Sequence, residues 1–276
     1  MTLIITDKDL PGSFGGLREL EREPPVRWLI PNWLAARELS CIYGQGGTFK
    51  SYIALAWTLQ LALRGVPTLY IAAEGTSGLR SRVDAWRSTR TKGEDIPDWH
   101  YYNANVHLDK KVDAGLWKHA LLDYNTNVDL IVVDTLARNF TGDENSAKEV
   151  GEFIEGIEHL RRDLECAILV IHHMGVTTGR ERGTAALRNA TFAMFQTSRP
   201  QYNNVGGGSV ELACDRMKDA PIPDEVRCYF DTVALDVASH GEVMQQSQAM
   251  RLFPPKRGRQ KPAKKVIDPD NLEGAA

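Results

Sequence analysis

The sequence predicts an α/β fold, with a mostly parallel central sheet flanked by helices and antiparallel strands added at its C-terminal side. Three observations carry this. Apolar runs such as LSCIYG, VDLIVVD and CAILVIHH have no polar alternation, as expected of strands covered on both faces. Amphipathic stretches of helical length separate them. After Ala190 the pattern changes to TFAMFQTS, GSVELACDRM and VRCYFDTVAL, with turn residues between and no helix, which read as antiparallel strands.

In chain order, residues 1–27 contain Pro11, Pro24 and Pro25 and read as an arm with little regular structure. A strand over Leu39–Gly44 leads to a helix over Ser51–Arg64, then a strand over Pro67–Glu74 and a helix over Ser77–Arg90. WHYYNANVHL gives a short strand, Asp113–Asp123 a helix and Val128–Asp134 a strand. Over Asn145–Leu164, Val150, Phe153, Ile154, Ile157, Leu160 and Leu164 recur at helical spacing, and Ser146 with Glu149 predicts a capping box at the start. No repeat or linker divides residues 28–240, which read as one domain. Residues 241–276 read as a basic, disordered tail. Pro254–Lys265 holds six of the 33 basic residues and no acid, which suits either a solvated appendage or a nucleic-acid contact.

Composition narrows the class. With 42% apolar and 25% charged residues over 276 positions the chain can build a core, and a net charge of −3 makes it no general trap for polyanions. No run of ~18 apolar residues predicts a membrane span, and the N-terminus has no signal-peptide pattern. Cys41, Cys166, Cys214 and Cys228 form no C-x-x-C pair and mostly sit in strand-like runs, the expectation for reduced, buried thiols in a cytoplasmic protein.

The chemistry begins at GQGGTFKS. Gly44, Gln45, Gly46, Gly47, Thr48, Phe49, Lys50 and Ser51 join a strand to a helix, where backbone N–H groups and the helix dipole favour an anion. Lys50 would reach the outer phosphates of a nucleotide and Ser51 would ligate Mg²⁺. The strict pattern has glycine where this chain has Phe49. A phenylalanine fits there if its φ is negative, with its N–H still donating and its ring turned away from the phosphates. Asp134 ends an apolar strand and would hold Mg²⁺ through water from the same sheet edge. It is followed by Thr135, not Glu, so a water-activating carboxylate must come from elsewhere. Glu74, closing the strand after the loop's helix, supplies one, with a helix-capping or surface carboxylate as the alternative.

His172 and His173 are adjacent on a strand, hence on opposite faces and poor co-ligands of one metal. His172 reads as a buried core histidine; His173, at the strand end, could touch a γ-phosphate. The segment Met174–Gly183 has three glycines, two threonines and two arginines. Arg182 there is a candidate arginine finger, against simple solvation of a charged loop. Arg216 and Lys218, two apart at a strand end, would project from one face toward a phosphate on another subunit, or be an exposed basic pair.

With these segments in order, the chain resembles the RecA-like P-loop ATPases, most closely the RepA-type hexameric replicative helicases and related phage AAA-family ATPases, over Trp28–Asp236. The segments are RWLIPNWLAARELSCIYGQGGTFKS, LYIAAEGTSGLRSRVDAW, LIVVDTLARNFTGDENSAKEV and HHMG…RERGTAAL. The resemblance implies ATP and Mg²⁺ bound by Lys50, Ser51 and Asp134, with Glu74 as base and His173 as γ-phosphate sensor. It also implies that Arg182, Arg216 and Lys218 serve the adjacent subunit of a hexameric ring, with single-stranded DNA in its channel. The Arg-x-Lys order at 216–218 reverses that of some relatives, leaving open which cation is the finger. Replicative helicase is the leading expectation. The alternatives are a core-only recombinase or annealing ATPase, and an ATP-binding regulator with little hydrolysis.

Overall fold

A computed structural model of the chain describes residues 15–22, 26–73, 76–107, 114–123, 127–175, 183, 185–204, 206–235 and 245–251. A single exposed turn, α1 (Leu17–Leu20), is the regular structure among the described residues of the arm. A small hairpin of β1 (Trp28–Ile30) and β2 (Leu34–Ala35) then leads into β3 (Leu39–Gly44) and α2 (Lys50–Ala62). The chain continues through β4 (Thr68–Ala72), α3 (Thr76–Arg90), β5 (Trp99–Tyr102), α4 (Ala114–Asp123), β6 (Leu130–Asp134), α5 (Leu136–Asn139), α6 (Ala147–Asp163) and β7 (Ala167–His173). It finishes with α7 (Ala186–Ala190), β8 (Ala193–Thr197), β9 (Gln201–Tyr202), β10 (Gly207–Met217), β11 (Val226–Leu235) and β12 (Gln245–Arg251).

One sheet organises the molecule, in the order β12-β11-β10-β8-β3-β7-β6-β4-β5, with β9 pairing β10. From β8 to β5 every pairing is parallel, so the C-terminal ends of these strands share one edge. This is the α/β arrangement expected from the apolar runs, with β10, β11 and β12 antiparallel beyond it. TFAMFQTS differs from expectation: its strand, β8, runs parallel to β3 in the register Ser40↔Ala193 to Tyr43↔Gln196. The α7 segment returns the chain to the starting end of the sheet, and so sets the direction. The antiparallel run therefore starts one strand later.

The two faces of the sheet hold separate cores. On one, α2 is apolar on nearly all sides, and such a helix belongs inside. Its Trp57 meets Trp33 and Phe195 with ring centroids 6.5 and 5.7 Å apart. On the other, α6 turns Val150, Phe153, Ile157 and Leu160 inward, each buried side chain of this size contributing ~1.5–3 kcal/mol. Ser146 caps α6 by accepting the Glu149 N–H at 3.3 Å. The return half of the predicted capping box is absent: the Glu149 carboxylate accepts instead from the Asp143 N–H at 3.0 Å, because the preceding turn carries that donor closer.

The stretch read as tail also changes. Gln245–Arg251, in the part assigned to disorder, forms β12 and pairs with β11 from Leu235↔Gln245 to Tyr229↔Arg251. An edge strand held by its backbone ladder needs no apolar alternation, so QQSQAMR carries no strand signal. The remainder of the tail, including Pro254–Lys265, lies outside the described residues. Among the described residues no helix is long and apolar enough to cross a membrane.

Candidate nucleotide site

The phosphate-loop candidate joins the end of β3 to the start of α2, at the edge where the parallel strands end. Gly44 is buried and tightly held. A Cβ placed there would stand 2.2 Å from Thr197 Oγ1 and 2.8 Å from Thr48 Oγ1, so a side chain would displace the loop. Thr48 Oγ1 lies 2.8 Å from Gln45 O, to which it donates, and 2.7 Å from Thr197 Oγ1. The Thr197 hydroxyl is also 3.3 Å from Tyr43 O. Gln45, Gly46 and Gly47 form the exposed tip, with Gly47 at φ 76°. Arg199 Nε donates to Gln45 Oε1 at 2.9 Å, tying the tip to the chain just past β8.

Phe49 departs from expectation. Its φ is +60° and ψ +19°, the left-handed region, where a negative φ is expected of a tolerated phenylalanine. This conformation costs an L-residue ~1–2 kcal/mol. It also explains why glycine is the usual residue here. Phe49 offsets the strain with its ring, which stacks on Phe230 at 4.2 Å and 18° and meets Tyr52 at 5.2 Å. The ring is thus directed into a packed aromatic cluster, as the sequence reading requires.

Lys50, only 6% exposed, lies inside the loop. Its Nζ donates to Gly44 O at 3.0 Å and Gln45 O at 2.6 Å, with Thr48 Oγ1 at 3.4 Å. The ammonium is therefore held within the curve that a bound phosphate would share. One residue on, Ser51 Oγ donates to Asp134 Oδ1 at 3.1 Å. Asp134 is 6% exposed at the end of β6, in register with Ala72 on β4 and Ile171 on β7. A hydroxyl and a carboxylate paired at a helix N-terminus are hard oxygen donors that suit Mg²⁺. Among the described residues no cluster of three His, Cys, Asp or Glu could cage a metal by itself. Mg²⁺ takes one or two protein oxygens and completes its shell with water and phosphate.

Tyr70, read from sequence only as an apolar strand residue, completes this pair. It stands on β4 level with Val132, so its ring reaches diagonally along the sheet to Asp134. Its hydroxyl is 2.6 Å from Asp134 Oδ2 and 3.3 Å from Ser51 O. Burial, and then the adjacent Asp134 charge, holds the phenol proton on well above its ordinary range. Arg82 of α3 adds positive charge nearby, its guanidinium carbon 4.8 Å from the Tyr52 ring centre.

His173 ends β7 in register with Gly44, and the next residue, Met174, donates its N–H to Gly44 O at 2.9 Å. The half-buried histidine is therefore at the loop's edge of the sheet, between β3 and β6. His172, 2% exposed, is the buried member of the pair. Glu74 and Arg182 lie outside the described residues.

Arg216 and Lys218 do not join this group. Because β10 is antiparallel to β8, Arg216 is opposite Met194 and level with Cys41, ~10 Å down the strand from Gly44. A bulge between Cys214 and Arg216 interrupts the ladder there. Arg216 shares the face of Met194, which packs in the core away from α2. Its Nη1 is buried with no hydrogen-bond partner among the described residues. Lys218 follows on the same side, its Nζ 3.4 Å from Ala190 O.

A glycine loop, a lysine and serine at a helix start, and an aspartate two strands away at the same sheet edge have the arrangement of a P-loop nucleotide site, and the sheet is of the RecA-like kind. The family model described as AAA domain matches residues 13–179, more than half of the chain. The protein belongs to that family and is a P-loop ATPase of the AAA type.

Proposed function

We propose that the protein is a Mg-ATP-driven motor that acts on DNA as an oligomer, as a RepA-like hexameric replicative helicase. One observation carries this reading. Lys50, Ser51 and Asp134 occupy one edge of the sheet, whereas Arg216 and Lys218 sit lower, on the opposite face. Cations so far from their own loop suit a nucleotide completed by a neighbouring subunit.

In this reading the loop N–H groups and Lys50 bind the phosphates, and Ser51 and Asp134 hold the metal. When bound, Mg²⁺ supplies charge neutralisation on the phosphate oxygens. Glu74 takes the proton of the attacking water. His173, in register with the loop's first glycine, reports loss of the γ-phosphate to the segment that follows β7. Arg182, Arg216 and Lys218 stabilise charge on the neighbour's nucleotide.

The test is steady-state phosphate release with and without single-stranded DNA, beside native mass spectrometry and forked-duplex unwinding. Stimulation by DNA, a ring mass and unwinding are expected. Annealing without unwinding would favour a recombinase-like ATPase, and absence of turnover an ATP-binding regulator. Mixing Lys50→Ala with Arg216→Ala subunits tests the trans arrangement: two inactive variants should regain activity together, and continued inactivity would count against it.

A further inference from the structure

We infer that Tyr70 is a positioning residue for the magnesium pair, acting through Asp134; this rests on the nucleotide-site reading above. The phenol occupies one carboxylate oxygen, Oδ2, at 2.6 Å, while the other, Oδ1, is 3.1 Å from Ser51 Oγ. The carboxylate is thereby fixed at both ends, with Oδ1 turned toward the hydroxyl that would share the ion. A free carboxylate at a strand end rotates about its last torsion, and could offer either oxygen or both. Here the donor on Oδ2 selects one-oxygen coordination, which suits an ion that demands octahedral geometry and keeps its waters.

Tyr70 belongs to neither element that carries the pair. It comes from β4, next to β6, and its hydroxyl also lies 3.3 Å from the Ser51 carbonyl in the first turn of α2. One buried side chain thus measures the gap between helix and strand. Partners that orient metal-ligating groups typically change metal affinity ~10–100-fold when removed.

The experiment compares the full chain with Tyr70→Phe, which keeps the ring and removes the hydroxyl. Mn²⁺ binding to the protein–ADP complex is followed by electron paramagnetic resonance, and ADP affinity is measured separately in EDTA. A positioning role predicts Mn²⁺ affinity about tenfold weaker in Tyr70→Phe with ADP affinity in EDTA unchanged. Equal Mn²⁺ affinity in the two proteins overturns the inference alone. Failure of the unaltered protein to bind ADP overturns the nucleotide site itself, and this inference with it. Should Tyr70→Phe not fold, Asp134→Asn is compared with Asp134→Asn/Tyr70→Phe, where no buried charge is stranded. A further tenfold loss in the double variant contradicts action through the carboxylate, and equal Mn²⁺ affinity there confines any effect of Tyr70 to that carboxylate.

Discussion

Phe49 lies flat on Phe230, ring centroids 4.2 Å apart, while its own backbone is held at φ +60°. The candidate phosphate loop of this ATPase is therefore tied to β11, three strands from β3, by a side chain where glycine would provide none. Strain and stacking oppose each other at one residue, and substitutions can separate them.

Phe49→Ala removes the stack and leaves a Cβ in the left-handed region, whereas Phe49→Gly removes the stack and the strain together. Glycine is expected to be more stable than alanine here by ~1–2 kcal/mol, the reverse of their order inside helices. Both should melt below the unaltered protein. Chemical denaturation of the three proteins checks the order, and alanine at or above glycine would show that the left-handed conformation is not maintained.

Cys41, Cys166, Cys214 and Cys228 are buried and form no disulfide among the described residues, and burial pushes the thiols of Cys166 and Cys228 up to about 12 from an ordinary 9.0. Unfolded, these thiols would ionise near 9, so above that pH the unfolded state releases protons that the folded state keeps. Stability is thus unaffected by these groups below pH ~9 and falls as pH rises toward 12, by ~1.4 kcal/mol per pH unit for each thiol. Melting temperatures followed upward from pH ~8 should show the loss, and Cys166→Ala and Cys228→Ala should each flatten it.

Glu74→Gln tests the proposed base. The variant is expected to bind Mg-ATP with unaltered affinity and to lose turnover by ~100-fold or more, within the usual range for general-base removal. Nucleotide binding by fluorescence anisotropy and single-turnover hydrolysis measure the two separately. Hydrolysis at the ordinary rate would assign the base elsewhere.

Much of the frame was readable because it depends on local pattern. Runs such as LIVVD and AILVIHH state that both faces are covered, and Ser146 marks the start of α6 with the cap it makes. Lys50, Ser51 and Asp134 were legible as a group because the loop and an apolar strand ending in acid each have a signature. What escaped depends on tertiary neighbours. Nothing adjacent to Phe49 reports the sign of its φ, which the loop geometry and the distant Phe230 accommodate. TLYIA identifies a strand, but that Tyr70 reaches Asp134 follows from β4 lying beside β6. Arg216 and Lys218 share a face as their spacing implies; their distance from the loop follows only from the antiparallel course of β10.

The central claim is that the Lys50–Ser51–Asp134 edge binds a nucleoside triphosphate and cleaves it. Steady-state phosphate release from Mg-ATP by the full chain and by Lys50→Ala tests this most directly, with circular dichroism establishing that the variant is folded. Removing a positioned charge at the phosphates predicts a loss of roughly 100-fold or more. Turnover by folded Lys50→Ala at the rate of the unaltered protein would contradict the account.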